Sequence, residues 1–187
     1  MLAGVFALTG VIFGALEVVM VAFATGHGAR ALAGPLLALS AAGSLLAGLW
    51  YGTRDWHAPA PRRFAAALTA LAAGTFLFPA AGTVPQMAAA ALAAGFTVSP
   101  ALIAGFTLTE RLLPHAVLTE GFAWLDAATG IGFAAGSTAG GLAADAAGAR
   151  PAFLVVAAAA LLAAAIATLG RRWLRSPVAS ASGAAHP

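Results

Sequence analysis

Apolar residues along this chain come in long runs of twenty or more positions and do not alternate with polar ones. Six runs stand out, at about 2–25, 31–52, 64–84, 85–108, 119–143 and 151–170. A bilayer's hydrocarbon core is ~30 Å thick and takes ~20 helical residues to cross, so each run has the length of a membrane span. Strands are excluded, because an open sheet leaves backbone groups unpaired in lipid. Turn formers separate the runs: Gly26 to Gly28, Pro59 with Pro61, Gly82 with Pro85, Pro114, and Gly148 before Pro151. The pattern predicts an all-α, polytopic transmembrane domain of six helices over 1–175, followed by a small, polar, disordered tail over 176–187. The first run is read as a retained helix, since no positive segment precedes it and Glu17 interrupts it.

Composition excludes most alternatives. Of 187 residues, 61% are hydrophobic and 8% charged, with a net charge of +3. A water-soluble domain carries roughly a quarter charged residues, and the mean hydropathy here is +0.94. A soluble enzyme and a disordered chain are ruled out. A nucleic-acid binder is too, because the arginines sit singly or in pairs between apolar runs and form no phosphate-binding patch. Cysteine is absent, so there is no disulfide and no thiolate metal site. The four histidines fall in loops or the tail without carboxylates at metal spacing, which predicts neither metal nor cofactor. Ser137 lacks a histidine on any neighbouring helix, so a serine-hydrolase reading fails and no enzyme is expected.

The arginines also orient the chain. With the N-terminus in the cytoplasm, Arg54, Arg62, Arg63, Arg111, Arg171, Arg172 and Arg175 lie inside, against Arg30 and Arg150 outside. The positive-inside bias then places both termini in the cytoplasm, the membrane being a plasma membrane.

Within the runs, small residues recur at every fourth position: Ser40, Ser44, Gly48 and Gly52 in the second, and Gly132, Gly136 and Gly140 in the fifth. Such stripes let two helix backbones approach closely, either within the chain or against a partner. Two carboxylates lie deep in apolar sequence. Glu17 is roughly 22 Å along its helix, and Asp126 roughly 10 Å along the fifth, nearly in line with Ser137. Charge at that depth is costly, so each faces protein or a watery cavity, as a protonated structural group or as a proton- or substrate-binding one. Glu120, after Thr119, suits a helix start. Glu110-Arg111 ends the fourth run, within reach of Arg54 or Arg62 as a latch or as an exposed pair of little weight. Pro100 is expected to kink the fourth helix. The third and sixth, free of charge, suit lipid-facing positions.

Four segments, in this order, resemble the C-terminal six-helix half of a major facilitator superfamily transporter. They are GSLLAGLWYGTR at 43–54 with its basic loop ending Arg62-Arg63, TVSPALI at 97–103, TEGFAW at 119–124, and GGLAADAAGARPAF at 140–153. The family's loop motif reads Gly-x-x-x-Asp-Arg-x-Gly-Arg-Arg; here Gly52 and Thr53 stand where Asp and Arg would be, and the carboxylate is lost. The resemblance implies two three-helix inverted repeats and proton-coupled export of a small molecule, such as a drug or sugar, by alternating access. It assigns Glu17, Asp126 and Ser137 to substrate or proton binding. A cytoplasmic gate would comprise Arg54, Arg62, Arg63, Glu110 and Arg111. Ser44, Gly48, Gly52, Gly132, Gly136 and Gly140 would form a seam with a second six-helix half, supplied by a missing N-terminal half, a separate chain or another copy. The other partners implied are the lipid bilayer, the substrate and protons. The alternative is a non-transporting membrane protein that acts as a homodimer or assembly partner.

The arginine bias makes a direct prediction in this cysteine-free chain. A single cysteine at Ala149 should react with an impermeant thiol reagent on intact cells, and one at His115 should not. Reversed labelling would overturn the orientation.

Overall fold

The computed structural model describes residues 1–170. Arg171, Arg172, Arg175 and the tail over 176–187 lie outside the described residues. Every regular element among the described residues is helical: α1 Leu2–Gly26, α2 Ala33–Gly52, α3 Ala60–Thr75, α4 Leu77–Ala80, α5 Val84–Gly95, α6 Val98–Leu112, α7 Leu118–Ala147 and α8 Ala149–Gly170. Five stretches are long and apolar enough to cross a membrane: Leu2–Gly26, Arg30–Gly52, Ala60–Ala80, Val84–Leu112 and Ala149–Gly170. The chain is a membrane protein by this criterion. The fifth expected span, α7, is a 30-residue helix that is not among those five. Its glycines, with Glu120, Asp126 and Asp145, dilute the apolar run.

Two spans are interrupted, and prolines account for both breaks. A proline ring clashes with the carbonyl four residues earlier and has no N–H to offer the helix. Pro79 thus strains the helix at Thr75, where α3 gives way to α4. Pro100 does the same at Phe96, and α5 gives way to α6 across Phe96 and Thr97. The expected kink therefore lies upstream of Pro100, as an actual break. A threonine sits at each: Thr75 Oγ1 donates to the Ala72 carbonyl and Thr97 Oγ1 to that of Ala94, both at 2.7 Å. The breaks adjoin in space, since a Cβ added to Gly74 would lie 3.2 Å from Thr97 Oγ1.

The tightest helix contacts are made backbone to backbone. A Cβ on Gly132 would run into the Ala7 carbonyl, and one on Gly136 into that of Val11. Reciprocally, Gly10 meets the Thr129 carbonyl and Gly14 that of Phe133. Residue numbers rise together on the two helices, so α1 and α7 run parallel. This is the most extensive helix pair in the molecule. The second pair repeats the device: Gly43 of α2 meets the Leu92 carbonyl, and Gly95 of α5 meets that of Ser40. Further along, Ser44 and Gly48 meet Ser99, so residue numbers rise together from the Ser40–Gly95 contact and α2 runs parallel to α5–α6 as well. Such closeness suits Cα–H···O contacts, which add to packing where lipid supplies no hydrophobic drive.

The small-residue stripes are therefore used inside the chain. Gly132, Gly136 and Gly140 are buried against α1. Ser44 and Gly48 lie against Ser99 of α6. Gly52 has open space around it. None of the first five is left on a free face for a second half.

Helix α8 packs on α1, α3 and α7 through an alanine face that includes Ala152, Ala160, Ala163 and Ala167. It exposes Leu154, Leu161, Leu162 and Leu169 on the other side. It is about as buried as α1, while its leucine side stays open; α2 is the most open of the five spans. Aromatic clusters close both ends. Phe153 packs on Phe78 and Phe23 with ring centroids 5.3 and 6.4 Å apart. At the other end Phe106 packs on Phe6 and Phe122 at 5.3 and 5.8 Å. Buried hydroxyls turn back on their own helices, as Thr9 Oγ1 does to the Val5 carbonyl at 2.9 Å and Thr109 Oγ1 to Gly105 at 3.0 Å.

Neighbouring glycines of α7 separate packing from helix propensity. Gly130 has nothing within 4 Å of an added Cβ, so Gly130→Ala should leave stability unchanged or raise it by up to ~1 kcal/mol. Gly132→Ala should cost roughly 1–3 kcal/mol through overpacking against α1. Thermal unfolding of the purified protein in detergent reads the difference. Equal behaviour of the two variants would overturn the α1–α7 contact.

Candidate functional site

Helix α1 buries Ile12, Ala15, Val19 and Met20, and Glu17 falls off that face. Its side chain is exposed and lines a cleft of about 440 Å³ between α1, α2 and the start of α6. Phe13 and Leu16 form the α1 wall with it, Ser40 and Ser44 stand on the α2 wall, and Val98 closes the α6 side. Ser44 Oγ lies 2.7 Å from Ser99 Oγ, one hydroxyl donating to the other. One carboxylate and a row of hydroxyls thus share an otherwise apolar cleft. Such a set offers hydrogen-bond acceptors and donors to a polar solute. Among the described residues no group of three or more His, Cys, Asp or Glu could hold a metal ion.

The space beside Glu17 does not lie over Gly10 and Gly14, the small residues on the preceding turns of α1. Those glycines are filled by α7 backbone, and the opening lies toward α2 instead. Asp126 and Ser137 do not join Glu17. The α1–α7 register sets Asp126 level with the start of α1, roughly 20 Å along the axis from Glu17. Asp126 is exposed. Ser137 is half-buried in the α1–α7 contact, its Oγ 2.8 Å from where a Gly14 Cβ would stand.

Of the five residues expected to form a gate, Arg54 and Arg63 have aromatic partners. Arg63 Nε donates to Tyr51 Oη at 2.9 Å, and its guanidinium lies 5.1 and 5.2 Å from the Tyr51 and Trp56 ring centroids. Arg54 stacks over Trp50 at 4.8 Å. Trp56 Nε1 donates to the Tyr51 carbonyl at 2.9 Å and fixes the loop between α2 and α3. Arg62, Glu110 and Arg111 are exposed. The partners of Arg54 and Arg63 are aromatic rings, a role that charge counting does not reveal. Glu120 lies in the first turn of α7, whose N-cap is Val117 and not Thr119; it accepts from Trp124 Nε1 at 3.5 Å.

Three features escaped the sequence reading. Ser99 gave its signal in TVSPALI, where it precedes the helix-breaking Pro100. Gly43 and Gly95 make the closest α2–α5 approach but stand off the four-residue stripe. Tyr51 and Trp56 could have been found from WYGTRDW at 50–56, where aromatic and charged residues interleave. Comparison with protein-family models and with curated proteins gives no match.

Access of water to the cleft is checkable on one helix. A cysteine at Ala41, in the cleft, should react with a charged, water-soluble thiol reagent in detergent or open membranes. One at Ala47, fully buried on the same helix, should not. Failure at both would mean that the cleft is closed to water.

Proposed function

We propose that this chain is a six-helix half of a secondary transporter of the major facilitator type, with two three-helix units in inverted repeat. It moves a small molecule by alternating access, coupled to protons across a plasma membrane, with the N-terminus in the cytoplasm. The observation that carries the reading is the pair of parallel, glycine-mediated contacts. Counting α3–α4 and α5–α6 as single spans, α1 with α7 joins the first span to the fifth. The α2 contact with α5–α6 joins the second to the fourth. Exchanging the first three spans for the last three turns one pair into the other. It also exchanges the α1–α8 contact with that of α3 on α5–α6. This is the symmetry an inverted repeat requires, and transporters built that way place their sites between the repeats near mid-membrane. In this reading α7 spans as well, because it lies beside the middle of α1 from Gly132 to Gly140.

The Glu17 cleft lies between the two pairs and near the middle of α1, so Glu17 is the proton-carrying group and Ser40, Ser44 and Ser99 are its polar surroundings. The second half covers the open α1–α2 side, where Leu45, Leu46 and Leu49 are exposed. Gly132, Gly136 and Gly140, being occupied by α1, take no part in that contact. Arg54, Arg62, Arg111 and Glu110 lie at the cytoplasmic ends.

The test is flux in proteoliposomes containing the complete two-half assembly, with a hydrophobic-cation dye and a labelled sugar as probes. Glu17→Gln, a permanent mimic of the protonated state, should keep counterflow and lose accumulation driven by a pH gradient. Asp126→Asn, at another depth, should keep both. Gradient-driven accumulation unchanged in Glu17→Gln would overturn the role of this carboxylate.

A further inference from the structure

A second cavity, of about 450 Å³, opens where the α2–α3 loop meets the membrane end of α3. Its chemistry is divided. Around the mouth stand Arg62, Arg63 and the rings of Trp50 and Trp56; the depth is walled by small α3 residues such as Ala66 and Ala70 and by Phe96 and Pro100 at the α5–α6 break. Arg63 is held in place by Tyr51 and Trp56 through one hydrogen bond at 2.9 Å and two ring contacts. That anchoring uses Nε and leaves the terminal nitrogens outside the bond. Arg62, exposed on the first turn of α3, brings a second guanidinium to the same mouth. Asp55 is exposed in the same loop but does not line the cavity, so the mouth itself carries positive charge.

We infer that this cavity is a binding site for an anionic phospholipid from the leaflet that meets the α2–α3 loop. The phosphate would lie between the Arg62 and Arg63 guanidiniums, whose planar donor sets match its oxygens. The tryptophans mark headgroup depth, where their amphipathic rings settle. One acyl chain would run down the alanine face of α3 toward Pro100. The break at Phe96 and Thr97, which Pro100 enforces, is what opens the groove in the fourth span. A soluble phosphate would find the arginines but have no use for the apolar depth; a neutral lipid would fill the depth but leave the arginines unpaired. An anionic lipid uses both. This inference rests on the cavity alone and stands whether or not the chain transports anything.

The test uses the full chain with Trp124→Phe and Trp173→Phe, so that fluorescence reports Trp50 and Trp56. It is reconstituted into phosphatidylcholine vesicles containing a small fraction of a brominated, quenching lipid. Brominated phosphatidylglycerol should quench with an apparent affinity about fivefold or more above that of brominated phosphatidylcholine, the preference expected for even one arginine at a charged lipid surface. Arg62→Gln with Arg63→Gln should abolish the preference, whereas Arg30→Gln at the opposite end should keep it. Ala70→Leu, which fills the depth and leaves both charges, should weaken quenching by either lipid. Equal quenching of the unsubstituted site by the two lipids would overturn the proposal. Full competition by millimolar inorganic phosphate would also overturn it, in favour of a site for the free anion. The lipid comparison needs neither arginine nor alanine variant to fold.

Discussion

Backbone contact between helices without intervening side chains is the constraint on which this structure turns. In lipid a leucine gains nothing by leaving its neighbours for another leucine, so helices associate through close fit and short polar contacts. Glycine supplies both, and here it does so from both sides of each contact. Gly10 and Gly14 receive α7 carbonyls while Gly132 and Gly136 receive α1 carbonyls; Gly43 and Gly95 do the same between α2 and α5. Two parallel pairs result, and the remaining spans fill in around them. Helix α8 contributes alanines for the same reason, because larger side chains would hold α1, α3 and α7 apart.

The position of the Glu17 cleft follows from this packing. With one side of α1 committed to α7 and another to α8, Glu17 is left facing α2, where the serines that α2 does not bury supply the polar surroundings. The breaks at Pro79 and Pro100 shape the other side of the molecule. By interrupting the third and fourth spans at adjoining positions, they let α3 and α5–α6 pack closely at Gly74 while opening the second cavity nearer the membrane surface. The threonines at those breaks return their hydroxyls to the helix, and no buried side-chain nitrogen or oxygen among the described residues lacks a partner.

Much of the fold was legible because the membrane simplifies the code. Run length alone located five spans within a few residues, and Gly or Pro marked their ends. Where the reading slipped, a local signal was weaker than a distant one. The third span starts at Ala60, not 64, because Pro61 favours the first turn of a helix. The glycine stripe in α7 was visible, but its partner was not, since a four-residue spacing says that something approaches closely without saying what. Glu17 was legible as an expensive residue, yet its true neighbours Ser40 and Ser44 come from another helix that no local pattern connects to it. Asp126 and Ser137 looked joined because they share a helix face; the packing of α7 on α1 separates them in depth and surroundings. The arginine–aromatic contacts of the α2–α3 loop depend on how the chain turns between Gly52 and Ala60, which hydrophobic spacing does not encode.

The parallel register of α1 and α7 supports both the fold and the functional reading, and it is open to one direct measurement. A Cβ on Gly141 would lie 3.6 Å from Val18 Cγ1, so a Val18→Cys, Gly141→Cys double variant has its two thiols in reach. Oxidation in native membranes, followed by peptide mass spectrometry, should join α1 to α7 through that pair, while Val18→Cys with Ala123→Cys should remain unlinked. A bridge to Ala123→Cys and none to Gly141→Cys would mean that the two helices run the other way, and the account built on their contact would fall.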